Sequence, residues 1–173
     1  DVALADLESW FTGDGPLAMF DGVEFDAEPF SKGTLEEGEG GRRGADVDAD
    51  GRADGGFVNG LNVFGLGVFE YNRRLREIMG ENFIVMADGG TPRSQRSFGV
   101  LNGIESEGWP DLNDPAMADW SGGLNRHFYW RDNARPPALN YINIKFNVGG
   151  EEGKRFRAST GIYRLIMAAA MRR

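Results

Sequence analysis

Three acidic segments with the composition of β-strands follow one another along the chain, and each ends in carboxylates. They are residues 19–28 (MFDGVEFDAE), 83–90 (FIVMADGG) and 100–109 (VLNGIESEGW). A (β/α) barrel builds its active site from carboxylates and other groups at the carboxyl ends of successive parallel strands. A buried acid is unfavourable unless it is paired or used in chemistry. The segments therefore predict one sheet edge devoted to carboxylate chemistry, and the alternative is ordinary polar strand ends that face solvent.

Helical and strand patterns alternate along the chain. Helical spacing of apolar residues predicts helices over 2–11, 60–79 and 157–171, and strands are predicted over 17–25, 83–87, 99–104 and 139–146. Residues 114–130 fit either a helix or an irregular aromatic segment. This order predicts an α/β fold with a parallel sheet.

The length of the chain limits the kind of barrel that it can form. A complete eight-stranded barrel needs about 200 residues or more, and this chain has 173. Both ends of the sequence look cut, since it starts at Asp1 and stops on a helical pattern. We therefore expect a partial (β/α)8 TIM-type barrel in one domain over 1–173, with its remaining strands elsewhere.

Composition excludes several classes of function. A net charge of -8 argues against nucleic acid, because phosphate contacts need clustered Lys and Arg. Arg73, Arg74 and Arg76 fall on a predicted helix and are expected to form a solvated face. No apolar run approaches the roughly 18 residues of a membrane span, and no signal peptide is visible. The absence of cysteine suits an exported or a cytosolic enzyme, and we expect an extracellular or periplasmic location.

Residues 31–56 form an insertion rich in glycine, acids and arginine. Gly51 occupies position 6 of a pattern whose positions 1, 3, 5 and 9 are Asp46, Asp48, Asp50 and Asp54. Alternate acids converge on one hard cation, and the glycine permits the sharp turn between them. Phe57 stands at position 12, where an EF-hand has a bidentate Glu. We predict a short structural calcium loop, and the alternative is an acidic loop without metal.

Asp26 closes the first strand and is the first catalytic candidate. Period-2 alternation places Glu24 and Asp26 on one face of the strand, and Val23 and Phe25 on the other. A carboxylate at a strand mouth can act as a nucleophile or stabilise a sugar-like cation. We predict a catalytic role for Asp26 and a substrate-binding role for Glu24.

The other two segments supply the remaining candidates. Asp88 precedes two glycines that let a ligand come close, although Asp-Gly is also a common turn. Glu105 and Glu107 share a face, and Glu107 lies nearer the strand end, beside Trp109. A tryptophan can stack on a sugar, and apolar neighbours favour the protonated carboxyl that a general acid requires. We predict that Glu107 is catalytic and that Asp88, Glu105 and Trp109 bind substrate.

Two further residues have competing interpretations. Glu105 either binds ligand or pairs with a base such as Arg93 or Arg96. His127 is the only histidine, and it is interpreted as a structural hydrogen-bonding residue. With one histidine and no cysteine, a zinc site is not expected.

These motifs, in this order, resemble the uncharacterised glycosyl-hydrolase-like TIM-barrel family of bacteria. The resemblance covers about residues 17–110 and rests on 20–26 (FDGVEFD), the acidic loop at 46–51, the helix over 60–79, 84–89 (IVMADG) and 102–107 (NGIESE). It implies that the chain supplies the middle of a barrel, strands 4 to 7. In related retaining glycosidases a strand-4 carboxylate is often the nucleophile and a strand-6 carboxylate the acid/base, which correspond here to Asp26 and Glu107. Such barrels often carry Asn after strand 5, so Asp88 either binds substrate or joins the chemistry.

The resemblance implies a glycoside hydrolase that acts on a carbohydrate with this pair of carboxylates. Two other interpretations stay open. One is a non-catalytic, calcium-dependent carbohydrate-binding protein that holds a glycan on Trp109, Trp120 and Trp130. The other is an inactive fragment of a barrel.

Overall fold

A computed structural model describes residues 2–26, 28, 30, 57–88, 95–107, 119–143 and 160–171 of the protein. The helices are α1 (Val2–Phe11), α2 (Val63–Met79), α3 (Asp119–Asn133) and α4 (Thr160–Met171). The strands are β1 (Gly22–Phe25), β2 (Phe57–Val58), β3 (Leu61–Asn62), β4 (Ile84–Asp88), β5 (Gly103–Glu107) and β6 (Tyr141–Asn143).

Four strands form one parallel sheet in the order β1-β4-β5-β6. The predicted α/β class with a parallel sheet is therefore confirmed. Among the described strands the sheet is open, with β1 and β6 at its two edges. The strands β2 and β3 form a separate antiparallel pair.

The start of α2 corrects the helix predicted over 60–79. Asn59 and Gly60 take positive φ values of 50° and 80°, and they turn the chain between β2 and β3. An Asn-Gly pair favours this two-residue hairpin turn, because both residues tolerate positive φ. Asn62 then caps the helix, since its side chain accepts a hydrogen bond of 2.9 Å from the Gly65 N–H. The predicted end of the helix at residue 79 is confirmed, and Gly80 follows it with a positive φ of 86°.

One face of the sheet carries the hydrophobic core. Val85 and Ala87 of β4 and Ile104 of β5 are fully buried. They cluster with residues of the helices and of the segment before β5, namely Leu4, Leu75, Leu101 and Trp130. Val23 and Phe25 pack against this cluster, as the period-2 pattern of β1 predicted. The helices α1, α2 and α3 therefore cover the same face of the sheet.

Arg76 is buried, with 6% of its surface exposed, so its predicted place on a solvated face is wrong. Its guanidinium donates to the carbonyl oxygens of Phe83 and Val100 and to Asn102 Oδ1. Asn102 Oδ1 also accepts from the Val85 N–H at 3.0 Å. This Arg76 network joins α2 to the amino ends of β4 and β5, so the cation is held by neutral oxygens. Arg74 is exposed and pairs with Glu70, as predicted for the solvated face.

Several predicted bounds shift. The strand β5 begins at Gly103 and not at 99, because residues 98–102 form a turn whose Asn102 side chain bonds to β4. The described part of 114–130 is helical from Asp119. No helix of the described residues is long and apolar enough to cross a lipid bilayer.

Candidate functional site

The face of the sheet opposite the core is acidic. Asp88, Glu105 and Tyr141 stand in one row across β4, β5 and β6, since each pairs with the next in register. Glu24 of β1 pairs with Met86, two residues before Asp88. Paired residues of parallel strands point to the same side of a sheet. We call this surface the acidic face and define it by Glu24, Asp88, Glu105, Tyr141 and Asn143.

Tyr141 links the two edges of the sheet. Its hydroxyl lies 2.7 Å from Glu24 Oε1 and 2.8 Å from Oε2, and donates to this carboxylate. The strands β1 and β6 are three spacings apart, which is about 14 Å across a flat sheet. Two side chains that stand perpendicular to a flat sheet do not meet over that distance. The sheet therefore curves around the acidic face, which is concave.

Glu24 lies where the charges of this face converge. Burial raises its pKa, and the Tyr141 hydrogen bond opposes that rise. The negative charges of Glu105, Asp88 and Asp26 raise the pKa further, in that order. Glu24 therefore lies in the negative potential of carboxylates from three other positions. Burial, and then the Glu24 carboxylate, raise the pKa of Tyr141, which keeps its hydroxyl protonated as a donor.

Glu105 is held by an amide of the next strand. Asn143 Nδ2 donates to Glu105 Oε1. The structure therefore gives Glu105 a neutral partner on the acidic face, and Arg96 is exposed. The predicted alternative of a salt bridge to Arg96 is not observed in the described contacts, and Arg93 lies outside them.

The predicted catalytic pair is described in part. Asp26 directly follows β1 and is exposed, and its charge reaches Glu24. Glu107 is the last residue of β5 and pairs in register with Asn143, but its side chain lies outside the described residues. Trp109 also lies outside them, as do the predicted calcium ligands Asp46, Asp48, Asp50 and Asp54.

Two residues considered in the sequence analysis, Trp130 and His127, lie on the side of the sheet that carries the hydrophobic core. Trp130 is fully buried and its ring centroid lies 4.5 Å from that of Phe98, so it is not a surface for a glycan. His127 is buried on α3, and burial, followed by Arg131 and Arg126, lowers its pKa. Neither residue is part of the acidic face, because α3 packs on the opposite side of the sheet.

Sequence reasoning missed Tyr141, Asn143 and Glu28. Period-2 alternation in residues 141–143 places Tyr141 and Asn143 on one face and Ile142 on the other, and pairing that pattern with the acids of β5 would have found them. Glu28 bonds to two amides, at 3.1 Å from Asn72 Nδ2 and 2.6 Å from Gln95 Nε2. Burial raises its pKa to about 7, and the two amides oppose the rise. No sequence signal links Glu28 to Asn72 and Gln95, which are far apart in the chain.

The described carboxylates do not form a metal centre. Within the ranges that the structure describes, no group of three or more His, Cys, Asp or Glu side chains is arranged to hold a metal ion. The face presents carboxylate oxygens at Glu24, Asp88 and Glu105, while the Tyr141 hydroxyl donates to Glu24 and the Asn143 amide donates to Glu105.

Comparison of the chain with known protein families, with curated proteins and with solved structures gave no significant match.

Proposed function

We propose that the protein is a glycoside hydrolase that cleaves a glycosidic bond with two carboxylates, Asp26 and Glu107, beside the acidic face. The observation that carries the proposal is the concave surface on which Glu24, Asp88 and Glu105 meet Tyr141. A glycosidase needs two carboxyl groups in different electrostatic environments, one to protonate the leaving group and one to act as nucleophile or base. The partner implied is a carbohydrate.

We also propose that the four parallel strands are an arc of a (β/α)8 barrel. In doubly wound sheets the strand order reverses and helices cover both faces. Here the order β1-β4-β5-β6 follows the chain, and α1, α2 and α3 cover one face. The curvature that brings Tyr141 to Glu24 also suits the inner surface of a barrel. The acidic face would then be its interior at the carboxyl ends of the strands.

In this proposal Asp26 is the nucleophile and Glu107 the acid/base, as the resemblance implies. Glu24, Asp88 and Glu105 accept hydrogen bonds from sugar hydroxyls, and Trp109 stacks on a sugar ring. Tyr141 holds both oxygens of Glu24 and so fixes the orientation of that carboxylate beside Asp26. A separation of about 5 to 5.5 Å between the catalytic carboxyls would give retention of the anomer, and about 6.5 to 9.5 Å inversion.

The test is hydrolysis of a panel of aryl glycosides and polysaccharides by wild type, Asp26→Asn and Glu107→Gln. Each substitution removes a catalytic carboxyl with little change in shape, so we expect activity to fall at least about a hundredfold. Glu8→Gln is the matched control, because Glu8 is exposed on α1. Full activity in either catalytic variant contradicts the assignment. Glycan binding without product release would favour the non-catalytic alternative.

For the insertion we propose that Asp46, Asp48, Asp50 and Asp54 bind one calcium ion at about 2.3 to 2.6 Å. The support is their spacing in the sequence. Calorimetry with calcium should give binding heat for wild type and much less for Asp48→Ala, while Asp21→Ala, outside the loop, should behave as wild type. If calcium gives neither binding heat nor thermal stabilisation with wild type, the calcium site is contradicted and the insertion is an acidic loop without metal. An extracellular or periplasmic location, where calcium is abundant, stays a prediction.

A further inference from the structure

His127 lies on the side of α3 that packs against the sheet. Gly123, His127 and Trp130 are buried, whereas Asn125 and Tyr129 of the same helix are exposed. Steps of four and then three residues place the three buried ones on one stripe of the helix, which we call the inner stripe of α3. Only 4% of the His127 surface is exposed, so its imidazole is enclosed by protein.

The strand β5 faces the inner stripe with uncharged side chains. The helix α3 contacts β5 and joins it to the parallel strand β6, so it runs antiparallel to both strands. Trp130 belongs to the same buried cluster as Ile104 of β5. His127 comes one turn earlier in the helix and therefore lies nearer the carboxyl end of β5, on the side of Ser106. Ser106 is fully buried on the face of Ile104, and the acid Glu105 points to the other face.

The surroundings of His127 are unfavourable for a positive charge. An imidazolium carries an N–H at both ring nitrogens. His127 Nδ1 is buried without a hydrogen-bond partner in the described part of the chain, and so is Ser106 Oγ. Among the described groups, the charges that act on His127 are those of Arg131 and Arg126, which lie on α3 itself. A proton on His127 therefore places a buried cation beside two other cations and leaves its Nδ1 N–H without an acceptor.

We propose that His127 is an acid-sensitive switch in the packing of α3 on the sheet. With a neutral imidazole the inner stripe of α3 stays packed on β5. When the ring takes up a proton it moves toward solvent, and α3 loosens from the sheet. The helix connects β5 to β6, which carry Glu105 and Tyr141, so the switch lies between two strands of the acidic face. Its test needs no activity, so it fails or stands separately from the proposed hydrolase.

The direction of the pH dependence follows from this burial and from the two arginines. Burial, then Arg131 and then Arg126 lower the pKa of His127 below its ordinary value of 6.5. The unfolded chain therefore takes up this proton more readily than the folded one. Stability from the packed neutral ring is complete above about pH 6.5, and it is lost as the pH falls below that value through the folded-state pKa.

The experiment compares thermal unfolding of wild type, His127→Gln and Asn125→Gln from pH 7.5 to 5. Gln stays neutral over this range and keeps a polar side chain on the inner stripe. We expect the melting temperature of wild type to fall by about 3 °C more than that of His127→Gln. Asn125→Gln changes an exposed residue of the same helix and should follow wild type. Glu28, whose pKa burial raises to about 7, is present in all three proteins, so its titration cancels in the comparison.

A measurement on wild type covers the case in which His127→Gln does not fold. His127 is the only histidine, so its ring signals in proton NMR are unambiguous and should titrate with a midpoint below pH 6.5. As the ring is protonated, the amides of residues 126–130 should lose protection from hydrogen exchange, whereas those of residues 70–77 in α2 should keep it.

Three results would overturn the switch. One is a ring midpoint at or above pH 6.5, and another is a set of parallel melting curves for wild type and His127→Gln. The third is hydrogen exchange in which α3 keeps its protection while the ring is protonated, or loses it together with α2. Joint loss would mean that the whole protein unfolds, without a separate response of α3.

Discussion

The helix α2 contributes to two buried polar groups, and they differ in the kind of charge they contain. Arg76 lies at the amino ends of β4 and β5 and is held by carbonyl oxygens and Asn102. Asn72 lies one turn earlier on the same helix. Its side-chain amide donates a hydrogen bond to the Glu28 carboxyl, near the carboxyl end of β1. A guanidinium stays charged at any physiological pH, whereas a buried carboxyl can change its charge. The comparison shows a permanent attachment at one end of the sheet and a titratable one at the end that carries the acidic face.

The largest effect is expected from Arg76→Met. The substitution leaves the carbonyl oxygens of Phe83 and Val100 without the Arg76 donor in a buried site, and leaves Asn102 Oδ1 with the Val85 N–H alone. Unfolding in urea should show a loss of about 3 kcal/mol, equal at pH 5 and pH 8. Arg74→Met, on the exposed side of α2, is the control and should change stability by less than about 0.5 kcal/mol. If the loss of stability in Arg76→Met depended strongly on pH, the contrast between a permanently charged group at Arg76 and a titratable group at Glu28 would be contradicted.

Gln95→Ala should weaken the other group and reveal its pH dependence. The change removes a donor to Glu28 and the acceptor for the buried Ser97 N–H and hydroxyl. We expect a loss of about 2 kcal/mol by urea unfolding. The Gln95 bond lowers the pKa of Glu28, so its removal raises that pKa further. The loss should therefore be greater at pH 8 than at pH 5, and an equal loss at both would mean that the Gln95 bond does not favour the ionised carboxyl.

Tyr141→Phe tests the acidic face with a smaller change. The hydroxyl donates to Glu24 at a partly exposed position, so the loss of stability should be only about 0.5 kcal/mol. The pKa of Glu24 should rise, because the Tyr141 bond is the contribution that opposes burial and the neighbouring acids. An NMR titration of the Glu24 carboxyl measures this rise. If the Glu24 pKa stays the same in Tyr141→Phe, the two side chains do not interact in solution.

The smallest effect is expected from Glu70→Gln. Glu70 lies on the exposed side of α2 and pairs with Arg73 and Arg74, which together lower its pKa to about 2. Exposed ion pairs contribute little to stability. The urea midpoint at pH 7 should therefore equal that of wild type within error. A large shift would mean that the exposed charges of α2 matter as much as the buried ones.

The sequence predicted the elements and faces of this sheet better than their contacts. Alternation in β1 placed Val23 and Phe25 in the core and Glu24 on the other face, because a strand's side-chain period is local. The contact between Tyr141 and Glu24 depends on register and curvature, which no local pattern encodes. The burial of Arg76 was missed for a related reason. Two of its three acceptors are backbone carbonyl oxygens, and these are the same in every sequence.

The predicted bounds of helices and strands were wrong where a turn or a side-chain hydrogen bond interrupted an apolar pattern. The Asn59-Gly60 turn shortened the predicted helix, although that pair is a hairpin signal. Asn102 replaced a strand residue in the ladder, so β5 starts later than its apolar residues indicated.

The bond between Tyr141 and Glu24 also bears on the order in which the protein folds. Val85 and Asn102, which attach β4 to β5, are 17 residues apart, whereas Tyr141 and Glu24 are 117 apart. Closing the longer loop is less favourable by about 1.7 kcal/mol of chain entropy. Contacts between distant residues slow folding, so the β4–β5 pair is expected to nucleate the sheet and the acidic face to assemble last. A chain released early from a chaperone would then hold its central strands before its carboxylates had come together.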